Sequence, residues 1–94
     1  MRLIWTDEAL DGLADILFYY LEQAGPATAE AVEARIVSQI EDLLTFPERI
    51  RKSERIPDAR ELVIYRLPYI AFVRVFADRI LVLNIVHTAR KFPP

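Results

Sequence analysis

Apolar and polar positions along the chain fall into six runs. Residues 2–5 (Arg-Leu-Ile-Trp) are short, apolar and aromatic, and predict a strand. Thr6 follows as a helix N-cap, with Asp7 and Glu8 in the first turn, where carboxylates favour the helix dipole. A helix is predicted from Asp7 to Ala24. Leu10, Leu13, Leu17, Tyr20, Leu21 and Ala24 recur at three- and four-residue spacing as its buried stripe, and Asp11, Asp15 and Glu22 lie opposite. Gly25-Pro26 ends it, because Gly accepts a left-handed cap and Pro cannot continue the hydrogen bonding. Thr28 is expected to cap a second helix, Ala29 to Thr45, with Val32, Ile36, Ile40, Leu43 and Leu44 as its stripe and Phe46-Pro47 as its stop. Two amphipathic helices joined by so short a link make an antiparallel hairpin.

Residues 47–60 (PERIRKSERIPDAR) are polar, rich in arginine and interrupted by proline, and read as a loop with room for a short strand at its end. Three runs rich in Val, Ile, Leu, Phe and Tyr follow: Glu61–Leu67, Tyr69–Phe76 and Arg79–His87. Pro68 divides the first two, and Ala77-Asp78 is a tight hairpin turn between the last two. The order β-α-α-β-β-β segregates helices from most strands and predicts an α+β fold. The helical hairpin should pack on one face of a mainly antiparallel four-stranded sheet. Strand alternation puts Ile70, Phe72, Arg74 and Phe76 on one face of the middle strand. In the last strand it groups Ile80, Val82, Asn84 and Val86 against Arg79, Leu81, Leu83, Ile85 and His87. A second face that stays apolar and carries Arg74 suits a protein partner.

Composition changes this picture mainly through charge. The 94 residues fit a single domain spanning 1–94. There is no cysteine and only one histidine, so disulfides and cysteine- or histidine-rich metal centres are excluded, and neither a metal nor a cofactor is expected. The N-terminus lacks the basic and apolar regions of a signal peptide and no apolar run could span a bilayer, so a cytoplasmic protein without membrane partners is expected. The net charge of −2 argues against a generally basic, nucleic-acid-coating protein. That value hides an asymmetry. Residues 1–48 hold two basic and ten acidic side chains, a charge of −8, whereas residues 49–94 hold ten basic and four acidic, a charge of +6. The loop-and-sheet half is the place for an acidic or anionic partner.

Candidate chemistry concentrates in that half. Arg49, Arg51, Lys52 and Arg55 form a basic run that could line an acidic peptide or an RNA, with Arg74 and Phe72 beside it on the sheet. His87 and Arg90 sit where the last strand ends, and Arg60 precedes the meander. A histidine with several guanidiniums could hold a phosphodiester and move protons, so His87, Arg90, Arg60 and Arg74 are the catalytic candidates should the protein be a ribonuclease. Asp11 and Asp15 share a helix face, but they read as solvated helix charges.

Several of these elements also resemble the RelE/ParE toxin superfamily. Trp5-Thr6 with Ala9-Leu10 and Leu13 is similar to the family's opening, and Leu43-Leu44-Thr45-Phe46-Pro47 to the end of its second helix. Arg60-Glu61-Leu62 followed by Pro68-Tyr69-Ile70 resembles its "R-E-L … P-Y" element, and Arg74-Val75 its "Y-R-V" position, with Val73 in place of the aromatic. The ending Ile85-Val86-His87-Thr88-Ala89-Arg90-Lys91-Phe92-Pro93 is similar to "V-x-H-x-A-R-x-[aromatic]-P". Pro57-Asp58-Ala59 stands where the family carries glycines. The resemblance spans the chain and implies the toxin of a type II toxin–antitoxin module, held in a hetero-oligomer by a cognate, ParD-like antitoxin. ParE-like members block DNA gyrase, and RelE-like members cleave mRNA on the ribosome. The tail here lacks a tyrosine and the overall charge is acidic, which favours the ParE-like reading.

Overall fold

A computed structural model describes residues 1–94. Its elements are β1 (Arg2–Trp5), α1 (Asp7–Ala24), α2 (Pro26–Glu41), β2 (Arg51–Lys52), β3 (Arg60–Val63), β4 (Tyr69–Val75) and β5 (Arg79–His87), with short 3-10 turns at Asp42–Leu44 and Pro47–Arg49. One sheet carries all five strands in the order β1-β5-β4-β3-β2. β1 runs parallel to β5, and the other pairs are antiparallel. The α+β class and the helical hairpin stand as expected. The strand count is five rather than four, because Arg51 and Lys52 pair with Glu61 and Arg60 and form an edge strand near the start of the 47–60 loop, not at its end.

α1 begins and ends where the sequence places it. The Thr6 hydroxyl accepts the Ala9 N–H at 3.1 Å and donates to the carbonyls of Val82 and Leu83 at 3.0 and 2.9 Å, so one side chain both caps the helix and ties it to β5. The join to α2 is tighter than expected. Gly25, at φ 89°, donates to the Leu21 carbonyl and accepts from Ala29, both at 3.1 Å, and Pro26 takes the first helical position. Thr28 therefore lies inside α2 rather than capping it, and the α-helix stops at Glu41, with the 3-10 turn completing the stretch to Leu44. β3 ends at Val63 rather than Leu67, because Arg66 takes φ 65° in the turn that leads to β4.

The main core lies between the hairpin and the sheet. Ala9, Ile16, Val32, Ile36, Ile40 and Leu43 meet Leu62, Ile64, Tyr69, Ala71, Val73, Ile80, Val82 and Ile85. The buried stripe of α1 is rotated from the expected one: Ala9 and Ile16 are buried, whereas Leu10 and Leu21 remain 49% and 46% exposed. The register between β4 and β5 shifts at Phe72/Val73, leaving Leu83 as the extra residue of a bulge. Alternation along β5 therefore breaks. Ile85 joins the helix side and Val86 the opposite one, the reverse of simple period-two counting. His87, opposite Tyr69, turns to the helix side with its partner. Gly12 permits α1 to approach this bulge: a Cβ there would lie 2.8 Å from Asn84 Oδ1 and 2.9 Å from the Ile85 carbonyl.

A second, smaller core covers the other face of the sheet. Ile70, Phe72 and Val86 pack with Ile56 from the basic loop, Leu83 from the bulge and Phe92 from the tail. No helix is long and apolar enough to cross a membrane.

Candidate functional site

The basic loop is folded by one buried carboxylate. Glu61 is only 4% exposed and faces the same side of the sheet as Phe72, its register partner. Its Oε1 accepts from Arg51 Nη2 at 3.1 Å, and its Oε2 accepts the Ser53 hydroxyl at 2.7 Å. The Ser53 oxygen in turn accepts the N–H groups of Arg55 and Ile56, both at 3.0 Å. This turn carries Ile56 onto the second core and sets the Arg55 guanidinium 6.0 Å from the centre of the Phe72 ring. Arg51, Lys52, Glu54, Arg55 and Glu61 line a cleft of about 200 Å³. Sequence reasoning singled out the arginines and missed the Ser53–Glu61 pair that holds them. A serine two and three residues ahead of paired N–H groups was the available signal.

The expected partner-binding residues fall into two groups. Arg51, Lys52 and Arg55 are exposed around that cleft, and Arg49 is exposed in the 3-10 turn before it. Arg74 lies on the same sheet face as Phe72 and donates from Nη2 to the Pro57 carbonyl at 3.4 Å, while its Nε is buried without an acceptor. Phe72, expected as part of an open apolar face, is 0% exposed. Phe92 lies over it with ring centres 5.1 Å apart. Tail and loop together close a face that strand alternation alone leaves open.

The four catalytic candidates are dispersed. Arg60 donates to the Ile50 carbonyl at 3.0 Å and to Glu48 Oε2 at 3.1 Å. Its register partner is Val73 and that of His87 is Tyr69, which places them about 14 Å apart along the strand direction at ~3.4 Å per residue, on opposite sides of β4. His87 and Arg90 line one cavity with Asp11 and Asp15 of α1, Arg60 lines another with Lys52 and Asp58, and Arg74 lines neither. His87 Nδ1 accepts the Ala89 N–H at 3.0 Å, so the neutral ring carries its N–H on Nε2. On the helix side the His87 ring stands edge-on to Tyr69 at 5.6 Å, and Tyr69 to Tyr20 at 6.5 Å. Burial, and then the neighbouring Tyr20 phenol, push the Tyr69 hydroxyl well above its ordinary 10.0.

Basic side chains gathered at a cleft can hold carboxylates or phosphates, and such an edge suits an anionic segment. Comparison with known proteins identifies which molecules share this sequence pattern and fold. Residues 3–92 match the family model of the ParE toxin of the type II toxin–antitoxin system parDE. The chain is 35% identical over 92 residues to Y4kP of Sinorhizobium fredii, itself a candidate toxin, covering 98% of this chain and 93% of that one. It is similar to a chain of the chromosomal ParDE toxin–antitoxin system from P. aeruginosa, with a TM-score of 0.84 and 30% identity over 93% of this chain and 95% of that one. A chain of the intact E. coli RelBE toxin–antitoxin complex shares the fold at a TM-score of 0.57 and 18% identity, over 95% and 98% of the two chains. With the family model spanning nearly all of its length and a ParDE chain superposing on its fold, the protein belongs to the ParE family of type II toxin–antitoxin toxins.

Proposed function

We propose that this toxin arrests growth by binding DNA gyrase in the cytoplasm, and that a cognate ParD-like antitoxin neutralises it in a hetero-oligomer by laying an acidic segment along the basic sheet face. The observation that carries the reading is the cleft shared by Arg51 and Arg55, with Arg55 over the Phe72 ring that Phe92 covers and Arg74 on the same sheet face, in a chain whose net charge is −2. Such a face attracts acidic side chains at short range while the acidic helical half repels long polyanions. Arg49 and Lys52 extend the same basic edge.

Inducing the chain with and without its neighbouring antitoxin gene tests this. Growth arrest with a DNA-damage response and intact mRNA, relieved by the antitoxin, is the expected result. Cleavage of mRNA at codon positions would replace it with a ribosome-dependent ribonuclease reading and assign the chemistry to His87, Arg90, Arg60 and Arg74. Unimpeded growth at full expression would remove both.

A further inference from the structure

The C-terminal segment is held by little besides one aromatic ring. Thr88 N–H donates to the Pro68 carbonyl at 2.8 Å and Arg90 N–H to the His87 carbonyl at 2.9 Å, and beyond Arg90 the backbone makes no hydrogen bond. Phe92 is the anchor, resting on Phe72. Between this tail and the basic loop lies a cavity of about 450 Å³, lined by Arg55, Ala89, Arg90, Lys91, Phe92 and Pro93. Three of those six residues are cations, and none is ion-paired: the chain's salt bridges are Arg51–Glu61, Arg60–Glu48 and Arg79–Asp78. The loop that carries Arg55 is held by Ser53 and Glu61, whereas Arg90 and Lys91 belong to the tail. Like charges gathered at one cavity repel one another, and an anion placed between them would relieve that repulsion.

We propose that this loop–tail cavity is a carboxylate-binding site whose occupation latches Phe92 onto Phe72. Its ligand is an Asp or Glu side chain of an acidic peptide flanked by apolar residues. The cations supply the charge complement, and Phe92, Pro93 and Ala89 supply an apolar wall that a phosphate backbone would not use. The net charge of −2, with −8 in residues 1–48, disfavours a nucleic-acid strand at the same place. The inference rests on the antitoxin reading above and adds to it that binding orders the tail.

The test uses the purified full chain and a capped peptide of alternating leucine and glutamate, followed by NMR. The peptide should bind at least tenfold more tightly to the native chain than to the Arg90→Gln/Lys91→Gln variant, whose substitutions are exposed and leave the fold intact by circular dichroism. At saturation, amide exchange from Thr88 to Phe92 should slow several-fold and the Phe72–Phe92 ring-current shifts should grow. Equal binding of the glutamine analogue, unchanged tail exchange at saturation, or displacement of the peptide by a single-stranded oligonucleotide of matched charge would each overturn the proposal. Titration with the cognate antitoxin separates it from the wider reading. If Arg51→Gln/Arg74→Gln weakens that complex while Arg90→Gln/Lys91→Gln does not, the latch falls and the basic face stands; if neither weakens it, both fall.

Discussion

The Ser53 hydroxyl donates to the buried Glu61 carboxylate at 2.7 Å while accepting the backbone N–H groups of Arg55 and Ile56 at 3.0 Å each. One oxygen thus satisfies a carboxylate that water scarcely reaches and two donors of a loop turn. Ser53→Ala would leave all three short of a partner. A loss of roughly 1–3 kcal/mol is expected, toward the upper end because the carboxylate is charged. Urea denaturation should show a lowered midpoint with an unchanged slope, and Ile56 should lose amide protection. An unaltered midpoint would mean that water replaces the hydroxyl at no cost.

Gly12 meets the β5 bulge at Asn84 and Ile85, where a Cβ would come within 3 Å of two oxygens. One of these oxygens, Asn84 Oδ1, already accepts the Ile85 N–H at 2.8 Å, so it is poorly placed to move. Ala is the better helix former by ~1 kcal/mol, and an open site would therefore gain stability from Gly12→Ala. Here the overpacking cost of about 1–3 kcal/mol should win, giving a lower thermal midpoint. A raised midpoint would show that helix and sheet can separate freely at this crossing.

These two sites also mark where the sequence could be read and where it could not. The extent of α1 and β5, and the turn at Ala77-Asp78, were legible because each is set by residues that are neighbours in the chain. The buried face of α1 was not, because period counting weights leucines, whereas close approach to the sheet selects Ala9 and Gly12 for their small size. Faces of β5 beyond Leu83 were misassigned because a bulge shifts alternation without leaving a glycine or proline to announce it. The closure of Phe72 depends on Phe92 and Ile56, both at least sixteen residues away, and no local pattern encodes that meeting. The basic run was visible as composition, but the carboxylate that shapes it lies on another strand.

Tyr69 is 6% exposed, and its phenol is pushed above 10.0 by burial and by the neighbouring Tyr20 phenol. In the unfolded chain the same phenol ionises near its ordinary value. Below that pH both states hold the proton, and the stabilisation is fully present. As pH rises past about 10 the unfolded state releases it while the folded state keeps it, so stability falls with increasing pH. The Tyr69→Phe variant should therefore lose less stability than the native chain between neutral pH and the alkaline limb. Absorbance titration near 295 nm should show one of the four tyrosines ionising only on unfolding. A Tyr69 phenol that ionises while the protein is still folded would contradict this.

Charge reversal of the basic face should weaken the antitoxin complex, but the two central arginines need different handling. Arg51 pairs with Glu61, so Arg51→Glu sets a carboxylate against a buried carboxylate and threatens the loop itself. Arg51→Gln removes the charge, keeps a donor for Glu61 and isolates the binding effect. Arg74 engages only the Pro57 carbonyl, so Arg74→Glu is tolerable to the fold and reverses the field directly over the sheet. The combined Arg51→Gln/Arg74→Glu variant is expected to lose roughly 3 kcal/mol, about a hundredfold, in affinity for the antitoxin. Dissociation should also become less sensitive to salt, because fewer ion pairs remain to be screened. Calorimetry of the native and variant chains at two ionic strengths measures both quantities at once. A weakened complex with an unchanged salt dependence would place the lost energy in loop packing, whereas unchanged affinity at low salt would move the antitoxin to the acidic, helical side of the molecule.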